Sequence, residues 1–287
     1  MSGQLLIGAD PELFVKAGDK FRSGYGMIPG TKLEPHKVSH GAVQVDGMAL
    51  EFNIDPSTGP EDFINNIHIV LSELRKMVPE DYDLALCPTA EFDRQHMAEQ
   101  PEEARILGCD PDYNAYTGLI NTPPTPPATM RTAAGHVHLG WTQDVDVSNP
   151  DHFQKCRRLA IQLDYFLGVP SLLLDPDKKR RELYGKAGAF RPKPYGMEYR
   201  VLSNFWLRSP QLMNWVWMGA WEGYRHMEGG MNWEMVMRDK KQAETARTII
   251  NNGDADEARK LCRLLNINWP ARSDAVRAAA PNRGWQR

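Results

Sequence analysis

The sequence predicts an α+β fold: an antiparallel sheet with one polar and one apolar face, and helices packed on the apolar face. Three observations carry this. Strand-like stretches near residues 5, 43, 50, 136 and 198 are spread over most of the chain, with helical stretches between and after them. Each of these strands alternates polar and apolar residues with period two. The composition, 41% hydrophobic and 25% charged, is that of an ordinary globular chain. Its 287 residues are within reach of one large domain, so residues 1–270 read as a single domain. Residues 271–287 are basic and Ala-rich and read as a frayed tail.

The elements follow in order. "LLIGADPELFV" (5–15) reads as a strand that sets Asp10 and Glu12 inside an apolar run, with its Leu, Ile and Phe turned towards helices. "GAVQVDGMALEFNID" (41–55) reads as a hairpin, with Asp46-Gly47 supplying a turn of positive φ. "STGPEDFINNIHIVLSELRKMV" reads as a helix capped by Ser57 or Thr58, with Pro60 in its first turn and Phe63, Ile67, Val70, Leu71 and Leu74 at helical spacing. Residues 79–130 are rich in turns and include "GCDPDYNAY" and the stiff connector "TPPTPP". "RTAAGHVHLGW" (131–141) reads as a strand, and "NPDHFQKCRRLAIQLDYFLG" (149–168) as an amphipathic helix ended by Gly168 and Pro170. Residues 172–196 read as a basic, glycine-bearing loop, and "MEYRVLSNFW" (197–206) as a strand. Residues 209–227 read as an apolar helix, and 239–265 as two helical segments broken at Asn252-Gly253.

Several classes are disfavoured. A net charge of -3 is too balanced for bulk electrostatics to imply nucleic acid or a membrane surface. No apolar run approaches the ~18 residues that would span a bilayer. The N-terminal stretch lacks the basic region of a signal peptide, so a cytoplasmic protein is expected. Cys87, Cys109, Cys156 and Cys262 are far apart, form no CxxC and read as reduced thiols with no zinc role.

The chemistry lies in a repeated pattern. Residues i and i+2 of a strand share a face. Asp10 with Glu12, Glu51 with Asn53, His136 with His138, and Glu198 with Arg200 are four such pairs, each among apolar neighbours. An ordinary exposed sheet face carries Thr, Ser, Lys and Gln; this one carries acids, imidazoles, an amide and a guanidinium. Strands side by side would bring at least three carboxylates onto one surface. Carboxylates that close raise each other's pKa and destabilise the fold unless a cation joins them. Oxygen-rich ligands with a histidine favour Mg²⁺ or Mn²⁺ over zinc. Taken singly, an Asp/Glu pair is more often a solvated face, a Glu-Tyr-Arg a cross-strand ion pair, and an HxH a satisfied pair or a zinc-like ligand pair.

A second group lies between Asp177 and Gly196, where Lys178, Lys179, Arg180, Arg181, Lys186, Arg191 and Lys193 face only Asp177 and Glu182. Gly185, Gly188 and Gly196 would let backbone approach a ligand closely. The segment suits a polyphosphate, with Arg binding oxygens bidentately and Lys acting as a point charge. A solvated or nucleic-acid-binding loop is the alternative. There is no GxxxxGK[ST], and no GxGxxG follows a strand, so P-loop and Rossmann sites are not expected.

"GADPELF", "DGMALEFN", "FINNI", "GCDPDYNAY", "AAGHVHLG" and "RRELYGKAGAFRPKPYGMEYRVLSNFW", in this order over residues 8–206, resemble the phage-type COOH–NH2 ligases (amidoligases of type 2). More distantly they resemble glutamate–cysteine ligase, within the glutamine synthetase superfamily. The resemblance implies a glutamine synthetase-like antiparallel sheet whose polar face is the active face, in one catalytic domain. It implies an ATP- and Mg²⁺-dependent enzyme, with Mn²⁺ as an alternative ion, that forms an amide through an acyl phosphate and releases ADP and phosphate. Its partners would be a small-molecule or peptide carboxylate and an amine, in the host cytoplasm if phage-encoded; superfamily relatives form assemblies of several sizes.

By residue, the resemblance implies metal ligation by Asp10, Glu12, Glu51, His138 and Glu198, with Asp46 and His136 as further candidates. Asp10 stands where relatives often have Glu, so its shorter arm ranks behind Glu12. Arg180, Arg181, Lys186, Arg191 and Arg200 would meet phosphates. Arg200, Glu198 and Arg191 would be catalytic. Two other functions compete with the ligase: a metal-dependent hydrolase built on His136 and His138, and a non-enzymatic nucleic-acid-binding protein using the basic loop and tail.

Overall fold

The structure is a computed structural model and describes residues 4–106, 112–122, 125–230 and 240–271, the side chains of 240–245 excepted. Cys109, the first half of "GCDPDYNAY", the first Pro-Pro pair of "TPPTPP" and nearly all of the basic tail lie outside the described residues.

The strands are β1 (Leu6–Ala17), β2 (Lys20–Arg22), β3 (His36–Val38), β4 (Gly41–Asp46), β5 (Ala49–Ile54), β6 (Asp83–Ala85), β7 (Thr89–Glu91), β8 (Tyr113–Asn114), β9 (Met130–Thr132), β10 (Gly135–Gly140), β11 (Ala189–Lys193) and β12 (Gly196–Tyr199). Ten of them form one sheet in the order β3-β4-β5-β1-β10-β12-β11-β8, with β2 and β6 also pairing β1, and β7 pairs β9 separately. Every ladder among the described residues is antiparallel. The longer helices are α1 (Pro60–Met77), α2 (Pro150–Leu163), α3 (Pro210–Gly229), α4 (Lys240–Asn252) and α5 (Ala255–Leu264). The expected α+β arrangement is present: a large antiparallel sheet with helices against its apolar face.

β1 shows how alternation builds this. Ile7, Ala9, Leu13 and Val15 are buried in one cluster with Val137 and Leu139 of β10, Met197 and Tyr199 of β12, and the inward faces of α1, α2 and α3. Asp10 and Glu12 project from the opposite face. Phe14 shares their parity, and it is a correction to the expected inward Phe. It lies in a separate small core with Met48, Ala90, Phe92 and Met97, at the far end of the polar face.

β1 lies between β5 and β10. On one edge it pairs with β10, as Asp10↔His136 and Pro11↔Gly135, and the Glu12 N–H still donates to the Ala134 carbonyl. On the other edge Ile7 is bonded to Ser57 and Glu12 lies opposite Glu51 of β5. Pro11 falls between those two contacts, where a residue without an N–H is tolerated.

Other local expectations are revised. Helix α1 is N-capped by Gly59 without a side-chain cap, because Ser57 forms backbone hydrogen bonds with Ile7 in both directions. "RTAAGHVHLGW" is two strands, β9 and β10, belonging to different sheets. Gly168 and Pro170 do not end the helix begun by α2: a π turn (Asp164–Gly168) and a further turn (Val169–Ser171) continue it. The strand expected over 197–206 stops at Tyr199 and gives way to a 3-10 turn over Asn204–Arg208.

Gly135 opens β10 against the core. A Cβ there would stand 2.4 Å from Trp206 Nε1 and 2.5 Å from the Ser203 carbonyl oxygen. Overpacking of this kind costs about 1–3 kcal/mol. Gly135→Ala is therefore expected to lower the urea unfolding midpoint; an unchanged midpoint would show that the 203–206 turn yields freely.

Candidate active site

Register brings the four polar pairs together. Asp10 lies opposite His136, and Glu12 opposite Glu51. Glu51 lies opposite Gln44, His138 opposite Glu198, and Glu198 opposite Arg191. The resulting surface floors a cavity of about 1410 Å³ lined by all the members of those pairs, with Asp46, Lys193 and Tyr195. One end of the same cavity is less polar, formed by Leu6, Ile54, Pro56 and Trp141.

The centre is a group of ligand atoms on Asp10, His138 and Glu198, all within 4.8 Å of one another. His138 Nε2 and Asp10 Oδ1 are 2.9 Å apart. Both atoms are nevertheless buried without a well-aligned hydrogen bond. Such a pair of orphaned donor atoms fits a divalent cation: two carboxylates and an imidazole supply three ligands and leave positions for phosphate oxygens or water. His136 Nδ1 lies 3.4 Å from Asp10 and 3.2 Å from Glu198.

Glu198 is 1% exposed and carries most of the cations. Arg200 donates to its Oε1. Arg191 and Lys193 stand 3.1 and 3.2 Å from its Oε2. Arg200 also donates to Asp112 at 3.2 Å. Burial works to raise the Glu198 carboxyl, but Arg200 and the two histidines outweigh it and hold it well below its ordinary range. Asp10 behaves likewise: burial raises it, while His138 and His136 draw it down to well below the usual value. His138 is opposed by burial yet raised by the Asp10 charge, whereas His136 is pushed down to about 4 by burial and by Arg200.

The other two acids lie outside the ligand group. Glu12 Oε2 accepts from the Ala134 N–H at 2.9 Å, and Glu51 Oε2 accepts from Gln44 at 2.9 Å. Burial and Asp46 lift Glu12 to about 7. Burial, followed by Asp10, Glu12 and Asp46, pushes Glu51 well above the usual range. The geometry thus brings Asp10, rather than Glu12, to the histidine.

The basic stretch divides. Arg191 and Lys193 are on β11, a strand the sequence reading took for loop. Pro192 masked it, yet β8 covers only Ala189 and Phe190, so the rest of β11 has an open edge that tolerates proline. Arg181 is drawn away from the large cavity: it is 6% exposed, donates to the Asp177 and Asp175 carbonyls and pairs with Asp175 at 3.6 Å. Lys186 is exposed and is absent from the lining. Arg180 is buried, donating to the Val201 and Arg200 carbonyls, and lines a smaller cavity behind Glu12. The three glycines make room for protein rather than ligand: Arg180 lies against Gly185, Tyr116 against Gly188 and the Leu139 carbonyl against Gly196.

Tyr195, Asp112 and Gln44 are site residues that the sequence reading did not single out, and Lys193 was read only as one cation of the basic stretch. Tyr195 is hydrogen-bonded to His138 Nδ1. Lys193 was legible as the i+2 partner of Arg191; Tyr195 lies in the β11–β12 turn and carried no period-two signal.

Residues 127–229 match the family model described as phage phiEco32-like COOH.NH2 ligase-type 2. The resemblance read from the motifs therefore holds over the segment that carries His136, His138, Arg180, Arg191, Glu198 and Arg200; Asp10, Glu12 and Glu51 precede it. Among solved structures, the chain is similar to a bifunctional glutathione synthetase from Pasteurella multocida at 11% identity and a TM-score of 0.44, covering 98% of this chain and 51% of that one. The chain thus spans about half the length of that protein. No curated protein matches the chain. No helix among the described residues is long and apolar enough to cross a membrane.

Proposed function

We propose that the protein is an ATP-dependent carboxylate–amine ligase whose reaction takes place on the polar face of the sheet. The observation that carries the reading is the Asp10–His138–Glu198 ligand group beside Arg191, Lys193 and Arg200 in one cavity. The volume of about 1410 Å³ exceeds the ~300–1,000 Å³ of a typical single-ligand pocket, which suits a nucleotide and a second substrate together. The less polar end at Leu6, Ile54, Pro56 and Trp141 suits a nucleobase, and the charged end suits phosphates.

Mg²⁺ or Mn²⁺ would be held by Asp10, His138 and Glu198, where it supplies charge neutralisation for phosphate oxygens. Arg200 and Arg191 hold the transferring phosphoryl group, and Lys193 adds a point charge. The substrate carboxylate attacks the γ-phosphorus, breaking its bond to the ADP oxygen, which leaves with the electron pair. The amine nitrogen then forms the C–N bond as the C–O bond to phosphate breaks. In sum, carboxylate, ammonium and ATP give amide, ADP, hydrogen phosphate and one proton. Glu12 and Glu51, outside the ligand group, border the space where the amine would stand.

Calorimetry tests this. Wild type is expected to bind ATP at sub-millimolar concentration with Mg²⁺, and roughly tenfold or more weakly with the metal chelated, a difference of about 1.4 kcal/mol. No ATP binding at millimolar concentration overturns the reading. The proximity of both His136 and His138 to Asp10 favours one competitor, a zinc-type hydrolase. Stoichiometric zinc retained through dialysis, without ATP binding, would favour it. Burial of Arg180 and Arg181 weighs against a nucleic-acid-binding loop, since those guanidiniums serve the protein's own carbonyls.

A further inference from the structure

Behind Glu12 and Arg200 lies a second cavity of about 70 Å³, sharing Glu12, Asp46, His136 and Arg200 with the large one. It is too small for a nucleoside. It holds more than the ~10–15 Å³ one water needs, which suits a head group of a few heavy atoms. Its wall is mixed in charge: Glu12, Asp46 and Asp112 against Arg131, Arg180 and Arg200. Asp112 and Arg200 pair with each other at 3.2 Å, and Arg131 donates to the carbonyls of 105, 128 and 130. A wall with both signs of charge suits a ligand that carries both.

Arg180 is built into this wall. It is 3% exposed, and two of its nitrogens are used by the Val201 and Arg200 carbonyls at 2.8 and 3.2 Å. Its Nε is buried with no hydrogen-bond partner among the described residues. A buried donor left unsatisfied is costly, more so when charged, and a site that supplies an acceptor recovers that cost. Gly185 (φ +71) makes the room: a Cβ there would stand 2.2 Å from Arg180 Nη1. Glu12 and Asp46 lie where the two cavities meet, and they offer oxygens to an ammonium group.

We propose that the small cavity binds the head group of a free α-amino acid, its carboxylate towards Arg180 and its ammonium towards Glu12 and Asp46. Its side chain extends out of the small cavity. On the ligase reading, this amino acid is the amine substrate, since its nitrogen lies at the boundary with the large cavity. The binding itself does not depend on that reading.

The test is saturation-transfer NMR of the full chain with the common L-amino acids, each also as its N-acetyl and its carboxamide form. At least one free amino acid is expected to bind, and blocking either end is expected to weaken binding tenfold or more. Thr132→Leu narrows the cavity without touching a charge and is expected to abolish the signal, its melting temperature reporting on folding. Arg180→Lys keeps the charge but loses the planar fork and is expected to weaken binding at least fivefold. No signal from any amino acid, or equal signals from free and N-acetyl forms, overturns the proposal. ATP calorimetry on the same preparation separates the readings. ATP binding without amino-acid binding removes the subsite alone; amino-acid binding without ATP binding removes the ligase alone.

Discussion

Glu198→Gln is expected to lower the unfolding free energy by about 3–5 kcal/mol at pH 7, the range for removing one member of a buried ion group. The carboxylate is 1% exposed and faces Arg200, Arg191, Lys193 and His136. An amide of the same shape keeps the packing and leaves the cations facing one another without their shared anion. The native carboxyl is held below its ordinary range, so its contribution is fully present at neutral pH and is lost only in strong acid. Urea unfolding of both proteins at pH 7 measures the difference. A change under about 1 kcal/mol, the range for exposed pairs, would mean that solvent already screens these cations. The same substitution should remove the Mg²⁺ dependence of nucleotide binding, because it deletes one of the three oxygen and nitrogen ligands.

Stability should also fall as the pH rises from about 4 to about 7, through Asp164 in the π turn. Its carboxyl is fully buried and accepts from the Tyr116 and Tyr199 hydroxyls, each at 2.8 Å. Burial raises it to about 7, with hydrogen bonds from Tyr199, Tyr116 and the Gly188 N–H only partly opposing. A carboxyl whose folded pKa lies above the unfolded value of 3.8 favours the native state while protonated. That contribution is complete below the unfolded pKa and is lost as pH rises through the folded one. The rise from 3.8 to about 7 corresponds to something on the order of 4 kcal/mol. Asp164→Asn keeps the shape, accepting from one tyrosine and donating to the other, and has no proton to lose. The difference in unfolding free energy between the two proteins should therefore change across this window. A difference that stays constant from pH 4 to 7 would falsify the assignment. Tyr199 ends β12 between Glu198 and Arg200, so the titration is expected to reach the site through backbone position.

The polar face was legible in the sequence because period-two alternation is a property of the backbone. Wherever Asp10–Glu12, Glu51–Asn53, His136–His138 and Glu198–Arg200 were strands, each pair had to share a face. Which acids meet was not legible, because that depends on register. Asp10 opposite His136 and Glu12 opposite Glu51 are set by the registers of β10 and β5 on the two edges of β1, which no local pattern announces. Arg180 and Arg181 looked like phosphate ligands by charge and spacing. Their destination was decided by carbonyls at 175, 177, 200 and 201, far away in two of the four cases. Phe14 was misread by hydrophobicity when parity alone would have put it on the side of Glu12. Asp164 gave no signal, since an acid in an amphipathic helix reads as its solvent face until a π turn and two tyrosines enclose it.

Lying between β5 and β10, β1 is the strand that ties the two halves of the polar face together. Asp10 lies opposite His136 of β10. Glu12 lies opposite Glu51 of β5, yet its N–H donates to the Ala134 carbonyl and its Oε2 accepts from the Ala134 N–H, one residue before β10. A substitution along β4 or β5 that shifts Glu12 therefore pulls on the segment that carries His136 and His138. The two halves of the face are expected to change together, so a new partner molecule at one is felt at the other.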